Sequence, residues 1–181
     1  LPDKYILYIG NTKPHKNIVR LIKAFKNIKE KEYNLVLNGK ADDKMSKFMN
    51  GLNLNKKINF IGFIDEEDLP SIYHQADLFV FPSLYEGFGL PPLEALACGT
   101  KVVTSNNTAL GEIFKDLAIT VNPYSEEEIC NGINEALDNT SDKYDNLDNY
   151  LKNKFNWNKL SELTLQEYLE ISNLWRKNDE V

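Results

Sequence analysis

The chain has 181 residues, 42% of them hydrophobic, and a formal net charge of −6 at pH 7. This length and apolar content suit one globular domain with a real core. Both signs of charge are spread along the chain without a block of like charge, which argues against nucleic-acid binding or a polybasic membrane patch. No apolar stretch approaches the roughly 18 residues of a membrane-spanning helix.

Two features bear on the cellular setting of the chain. Cys98 and Cys130 form neither a disulfide framework nor a metal motif, which predicts reduced thiols and a cytoplasmic location. The first residues, LPDKYILYIG, lack an initiator methionine and contain no signal peptide, so we expect a piece excised from a longer protein.

Short apolar runs alternate with helical periods along most of the chain. The runs predict strands at 4–10, 33–39, 57–62, 77–83, 100–105 and 117–122. The periodic segments predict helices at 17–28, 43–52, 66–76, 91–98, 109–115 and 125–139. Beyond residue 140 the pattern is helical throughout, and apolar residues between Leu160 and Trp175 fall largely on one face.

Strands that alternate with helices indicate βαβ units and a parallel sheet. We therefore predict the α/β class, with a doubly wound, Rossmann-like parallel sheet of six strands and extra C-terminal helices. The predicted division is a Rossmann-like domain at 1–140 and helices at 141–181 that pack on the same domain. In such a sheet, ligands bind at the carboxyl ends of the strands, where the strand order switches.

The loop after the first predicted strand, GNTKPHKN (10–17), carries cations at the start of a helix. Gly10 permits a tight exit from the strand, and Lys13, His15 and Lys16 surround a helix end that begins near Asn17. Helix N-termini favour acids, so a bound diphosphate would account for the cations. A solvated basic loop without a ligand remains an alternative.

The loop after the fourth predicted strand, SLYEGFGLPPLE (83–94), carries two acids around a glycine turn. Gly87 and Gly89 would let the backbone approach a ligand closely, and the prolines at 91–92 suit a first helical turn. Glu94 is expected in that first turn. For this acid, stabilisation of the helix start is the alternative to a role in ligand binding. The presence of Glu86 is better explained by binding to the hydroxyls of a sugar, because carboxylates accept strong hydrogen bonds.

A third loop, TSNNTALGE (104–112), offers Ser105, Asn106, Thr108 and Glu112 at the end of the fifth predicted strand. Helix capping is the preferred explanation for these side chains. A phosphate or sugar contact is the alternative.

The segment PSLYEGFGLPPLEALACGTKVV (82–103) resembles the E-x7-E motif region of retaining glycosyltransferases of the GT-B fold, family 4. The resemblance extends along nearly the whole chain through the segments YIGNTKPHKNIVRLIKAF (8–25), INFIGFIDEEDLPSIYHQADLFVFPS (58–83), ALGEIFKDLAITVNPYSEEEICNGINEAL (109–137) and FNWNKLSELTLQEYLEI (155–171). It implies the C-terminal, donor-binding half of such an enzyme.

The resemblance also implies roles for individual residues. Glu86 would contact the donor sugar, Glu94 the ribose hydroxyls, and both Lys16 and the turn at 87–89 the diphosphate. The segment at 61–64 would lie by the base. The full implied donor-binding set is Gly10, Asn11, Lys16, Gly62, Phe63, Ile64, Glu86, Gly87, Phe88, Gly89, Leu90 and Glu94, with Glu86 and Lys16 as the catalytic residues.

One position departs from the family pattern. Many members carry Arg where this chain has Asn11, so half of a cationic clamp is absent. A subgroup with a P-R-K-N-like loop is more similar, with His15 in place of its Arg, and several of its members use GDP-mannose.

The activity that the resemblance implies is hexosyl transfer with retention of configuration, without a metal or other cofactor. The partners would be a nucleotide-diphosphate sugar, a glycan or lipid-linked acceptor in polysaccharide biosynthesis, and the missing N-terminal acceptor-binding domain. Any peripheral association with the cytoplasmic membrane would run through that missing half. The piece alone is expected to bind donor weakly and to be inactive.

Two other function classes remain open. A GT-B relative such as a nucleotide-sugar epimerase needs acid/base residues at its cleft, and a phosphorylase needs a pyridoxal lysine; neither is found in the sequence. A non-catalytic nucleotide-sugar-binding or partner subunit is the second alternative, although the intact Glu86, Glu94 and Lys16 argue against degeneration.

Overall fold

A computed structural model describes residues 1–139 and 147–178, without the side chains of 148 and 174–178. The chain divides into two compact units, Leu1–Asp142 and Lys143–Val181. The first unit contains the whole of the sheet, and the second is helical.

The first unit alternates strands and helices as the sequence predicts. Its strands are β1 (Tyr5–Tyr8), β2 (Asn34–Leu37), β3 (Ile58–Phe60), β4 (Leu78–Phe81), β5 (Val102–Ser105) and β6 (Ile119–Val121). Its helices are α1 (Ile18–Lys26), α2 (Asp43–Gly51), α3 (Leu69–Gln75), α4 (Leu90–Ala97), α5 (Thr108–Phe114) and α6 (Glu126–Asp138), with a 3-10 helix at Pro14–Lys16 before α1.

The strands form one parallel sheet in the order β3-β2-β1-β4-β5-β6. This is the doubly wound, Rossmann-like arrangement, and the predicted fold class is confirmed. The chain winds outward from β1 to β3 and then returns to β4 on the other side of β1, where Ile6 pairs with Leu78 and Leu7 with Phe79. The switch point of the sheet therefore lies between β1 and β4.

The core lies in and around the central strands. Every residue of β1 and of β4 is buried, which explains why these runs show no polar alternation. Three of their aromatic rings stack, with centroids 5.9 Å apart for Tyr8 and Phe81 and 6.0 Å apart for Phe79 and Phe81. The strands that define the switch point are thus fully enclosed, as is their neighbour β5.

Helix α6 approaches the sheet closely through a glycine. The Ser125 hydroxyl accepts a hydrogen bond from the Glu128 N–H at 3.1 Å and caps the helix start. A Cβ on Gly132 would lie 2.6 Å from Cγ1 of Val121 on β6 and 3.4 Å from Cγ1 of Val103 on β5. The small residue lets the helix backbone lie against the strands.

We expect Gly132→Ala to destabilise the protein by about 1–3 kcal/mol, because overpacking a core outweighs the helix propensity that alanine gains. Gly51 at the end of α2 is a matched control, since a Cβ there would meet nothing within 4 Å. Gly51→Ala should leave stability unchanged or raise it by up to about 1 kcal/mol. Urea unfolding of both variants measures the difference, and equal stabilities would contradict the close approach of α6.

The described residues of the second unit form α7 (Leu147–Lys154) and α8 (Trp157–Asn178). The apolar residues of α8 that are at least half exposed are Trp157, Leu160, Leu163, Leu165, Tyr168, Leu169 and Ile171. The side chain of Trp175, which the sequence places on the same face, lies outside the described residues. The packing of these helices on the sheet domain stays a prediction. Among the described residues, none of the helices is both long and apolar enough to span a bilayer.

Candidate functional site

The loops that leave β1 and β4 lie against each other at the switch point. The backbone N–H of Leu84, after β4, donates to the carbonyl of His15, after β1, at 2.7 Å. Because parallel strands end at the same edge of the sheet, the two loops that carry the predicted site residues become neighbours.

Lys16 and Glu86 form an ion pair between these loops. The Nζ of Lys16 lies 2.5 Å from Oε1 of Glu86, and the two side chains are only 13% and 17% exposed. The same ammonium lies 4.9 Å from the centroid of the Phe81 ring. Two causes raise the pKa of Tyr8, burial of the phenol first and the nearby charge of Glu86 second, so the hydroxyl of Tyr8 stays protonated. The structure thus brings the two predicted catalytic residues into direct contact in a largely enclosed setting.

Asn17 holds the backbone next to Lys16. It lies between the 3-10 helix and α1 in the left-handed region, at φ 62° and ψ 26°, which asparagine tolerates better than most residues. Its side chain is buried, and Nδ2 donates to the carbonyls of Pro82 at 2.9 Å and Pro123 at 2.7 Å. Its Oδ1 accepts from Arg20 at 2.5 Å. One amide therefore ties together the loops that follow β1, β4 and β6.

Asn17→Gly keeps the left-handed backbone but removes the amide, and should destabilise the protein by about 2–4 kcal/mol. The buried carbonyl of Pro82 loses its donor, and that of Pro123 keeps only the weaker bond from Arg20 at 3.3 Å. Asn17→Ala removes the amide and also disfavours the backbone, and should cost about 1 kcal/mol more. Chemical denaturation of both variants measures each cost. A glycine variant as stable as the wild type would mean that the amide does not hold the loops.

The turn at 87–89 supplies backbone donors beside the ion pair. Gly89 precedes α4 at φ 101°, and a Cβ there would lie 2.5 Å from Cδ2 of Leu110, whereas a Cβ on Gly87 would meet nothing within 4 Å. In the part of the chain that the structure describes, the N–H groups of Gly87, Gly89 and Leu90 have no protein acceptor. These amides remain available to a ligand, while the prolines at 91–92 have no N–H to offer.

Glu94 lies deeper in its helix than the sequence indicates. Helix α4 begins at Leu90, no acid lies in its first turn, and Glu94 is its fifth residue. The prediction of a first-turn acid was wrong, because the left-handed Gly89 starts the helix one residue before the first proline. The carboxylate accepts a hydrogen bond from the Tyr73 hydroxyl at 2.8 Å. Helix-dipole stabilisation therefore does not explain this acid.

The loops after β2 and β3 continue the same edge of the sheet. Gly39 and Gly62 form an isolated antiparallel bridge, with N···O distances of 2.6 and 2.9 Å. The N–H of Gly10 donates to Oδ1 of Asn38 at 2.8 Å, which joins the loops after β1 and β2. Phe63 is 87% exposed beside the bridge. The predicted base-side segment thus presents an exposed aromatic ring at the carboxyl edge of the sheet.

Side chains at the end of β5 and in the loop that follows it support the loop after β4. The hydroxyl of Ser105 donates to the carbonyl of Ser83 at 2.6 Å, and the amide of Asn107 donates to the carbonyl of Leu84 at 3.0 Å. No side chain caps α5, so the helix-capping explanation of this loop was wrong. Competition from the neighbouring loop's carbonyls, which local sequence does not show, is the physical reason.

Contacts therefore link some of the predicted site residues and not others. Lys16 and Glu86 touch, and the glycine turn follows Glu86 directly. The contacts of Glu94 are with Tyr73, and Asn11 is an exposed residue whose Oδ1 accepts from the N–H of Lys13 at 3.1 Å. Within residues 1–139 and 147–178, no group of three or more His, Cys, Asp or Glu side chains is arranged to hold a metal ion.

Three residues that support this edge were not predicted from the sequence: Asn38, Tyr73 and Asn107. Tyr73 belongs to the apolar stripe of its helix, and nothing in that pattern indicates a polar contact for its hydroxyl. For Asn38 and Asn107 a signal was present, since both lie at the carboxyl edge of the sheet, Asn38 directly after β2 and Asn107 two residues after β5.

Comparison with known proteins places this geometry in a family. The family model described as glycosyl transferases group 1 matches residues 1–154. The O-antigen chain mannosyltransferase B of Escherichia coli is 38% identical over 143 residues, which cover 76% of this chain and 38% of that protein.

Two solved structures have the same fold. Sucrose-phosphate synthase from Thermosynechococcus elongatus superposes with a TM-score of 0.80 at 27% identity, over 95% of this chain and 46% of that one. The C-terminal domain of a group 1 family glycosyl transferase from Francisella tularensis gives 0.72 at 27% identity, over 86% of this chain and 88% of that one.

The chain spans well under half the length of the Escherichia coli relative, and most of the length of the isolated Francisella domain. The family match covers the whole sheet and both loops of the switch point. The chain belongs to the glycosyl transferases group 1 family.

Proposed function

We propose that the chain is the donor-binding half of a glycosyltransferase, which holds a nucleoside-diphosphate sugar for transfer to a glycan acceptor. The observation that carries this proposal is the enclosed Lys16–Glu86 pair beside the amides of the glycine turn. A cation and backbone N–H groups suit a diphosphate, and a carboxylate suits sugar hydroxyls.

The same groups account for the departure of the leaving group. When the bond between the anomeric carbon and the diphosphate breaks, negative charge grows on the leaving oxygen. The ammonium of Lys16 and the N–H groups of Gly87, Gly89 and Leu90 would stabilise that charge from fixed positions, an effect worth roughly 10²–10³ in rate for one donor. With these donors in place, the leaving group needs no metal ion. We propose that Glu86 orients the sugar and that the anomeric configuration is retained.

The donor and acceptor are proposed from the relatives. The Escherichia coli relative is named as a mannosyltransferase of an O-antigen chain, which supports a mannosyl donor and an acceptor in polysaccharide assembly. GDP-mannose is therefore the first donor to test. An acceptor-binding domain would complete the active site, and this chain alone should bind the donor without transferring its sugar.

Calorimetric titration with GDP, UDP and ADP tests the site and identifies the base. Lys16→Met should weaken the nucleotide that binds by roughly 10- to 100-fold, because it loses a charge-assisted contact to the diphosphate. Lys23→Met is a matched control, since Lys23 lies on α1 and pairs with Glu126 at 2.8 Å on the exposed surface. If the folded wild-type chain binds none of the three nucleotides, the proposal fails. It fails equally if both lysine variants bind like the wild type.

Glu86→Gln separates the role of the carboxylate from that of the lysine. Removing one negative charge next to Lys16 should strengthen binding of the nucleoside diphosphate by roughly 2- to 10-fold, because the phosphates no longer compete with Glu86 for the ammonium. The additional affinity that the wild type has for the sugar-bearing donor should be lost. Titrations with GDP and GDP-mannose, or with UDP or ADP and the corresponding nucleotide sugar, measure both effects. A variant that keeps the preference for the sugar donor would exclude Glu86 from sugar binding.

A further inference from the structure

We propose that Tyr73 is a positioning residue of the donor site: its hydroxyl fixes the carboxylate of Glu94 so that it can accept hydrogen bonds from ribose hydroxyls. This inference rests on the proposed function and assigns a role to a residue outside the motif. The observation is the 2.8 Å hydrogen bond from Oη of Tyr73 to Oε2 of Glu94, which joins α3 to α4 across 21 positions of sequence.

Tyr73 is held firmly enough to position another side chain. It is 1% exposed, and its ring packs edge-on against Phe79 of β4 with centroids 5.4 Å apart. Its carbonyl accepts a hydrogen bond from the buried hydroxyl of Thr100 at 2.5 Å. Nδ1 of the next residue, His74, lies 3.0 Å from the carbonyl of Cys98 just after α4. The end of α3 is thus fixed against the end of the helix that carries Glu94.

Glu94 by contrast belongs to the exposed surface of α4. A glutamate there has several accessible rotamers, and holding it in one of them for a ligand costs conformational entropy. The tyrosine hydroxyl selects one carboxylate position before any ligand arrives. No other hydrogen bond to this carboxylate is found in the described part of the chain, so Oε1 and the remaining lone pairs stay available as acceptors.

The protonation state of Tyr73 suits this role. Burial, followed by the charge and the hydrogen bond of Glu94, raises the pKa of the phenol well above its ordinary value. The hydroxyl therefore remains a donor throughout the physiological pH range. A carboxylate held by such a donor presents acceptor oxygens to a ligand, which favours ligand hydroxyl groups, such as those of a ribose, over ligand carbonyls or phosphates.

The test compares each nucleoside diphosphate, GDP, UDP or ADP, with its 2′,3′-dideoxy form on the wild type and on Tyr73→Phe. The wild type should prefer the ribose form. Tyr73→Phe should lower the affinity for the ribose form by roughly 3- to 10-fold and leave the dideoxy form within about 2-fold of the wild type. The ratio of the two affinities within one variant is insensitive to any general loss of stability. Equal weakening of both forms, or weakening of neither, would overturn the proposal.

Tyr5→Phe is the matched control. Tyr5 is also a buried tyrosine, and its hydroxyl donates to the carbonyl of Ile72 on the same helix at 2.8 Å, without touching Glu94. Tyr5→Phe should lose stability as Tyr73→Phe does, and it should keep the wild-type preference for the ribose form of the nucleotide. If Tyr5→Phe loses that preference equally, the effect is a general loosening of α3 and the positioning role is wrong.

Glu94→Gln distinguishes failure of this inference from failure of the proposed function. If Glu94→Gln abolishes the ribose preference and Tyr73→Phe retains it, the donor site stands and the role of Tyr73 is refuted. If the wild type binds nucleotides without any ribose preference, or binds none, the assignment of Glu94 fails and the role of Tyr73 fails with it.

Discussion

The constraint on which the site depends is the pairing of β1 with β4 at the centre of the sheet. It places two loops, one on each side of the switch in strand order, side by side, so that Lys16 and Glu86 meet although 70 positions of sequence separate them. Both strands are fully buried, and displacement of either would open the core as well as the ion pair. The geometry of the charges is therefore maintained by hydrophobic burial.

Polar side chains then hold the loop backbones that the sheet brings together. Asn17 donates to the loops after β4 and β6, and Ser105 and Asn107 donate to the loop after β4 from the neighbouring loop. Each bond satisfies a carbonyl where no strand partner exists. Because these bonds fix the backbone that carries Lys16 and Glu86, loss of one of them should affect both stability and ligand binding. Such support from outside the contact residues is what a preorganised electrostatic site requires.

The proposed donor site is held in two different ways along its length. At the diphosphate end, two opposite charges hold each other in an enclosed position until a ligand anion competes for the lysine. At the ribose end, a buried tyrosine holds an exposed carboxylate through one hydrogen bond. On this proposal the first arrangement responds to ligand charge and the second does not, so variants at the two ends should differ in their response to diphosphate and to ribose.

Sequence by itself determined the alternation of elements, the parallel class and the residues of the glycine-turn motif, because burial on both faces and backbone freedom leave local signatures. It also placed Lys16 and Glu86 in one site through the general geometry of strand ends. Only the tertiary structure decided which polar groups meet. The sequence pattern around Tyr73 is typical of a core residue, yet its hydroxyl donates to Glu94. Ser105 was predicted to cap a helix and instead donates to the neighbouring loop. A hydroxyl or amide can satisfy a local or a distant partner equally well, and only the packed arrangement selects between them.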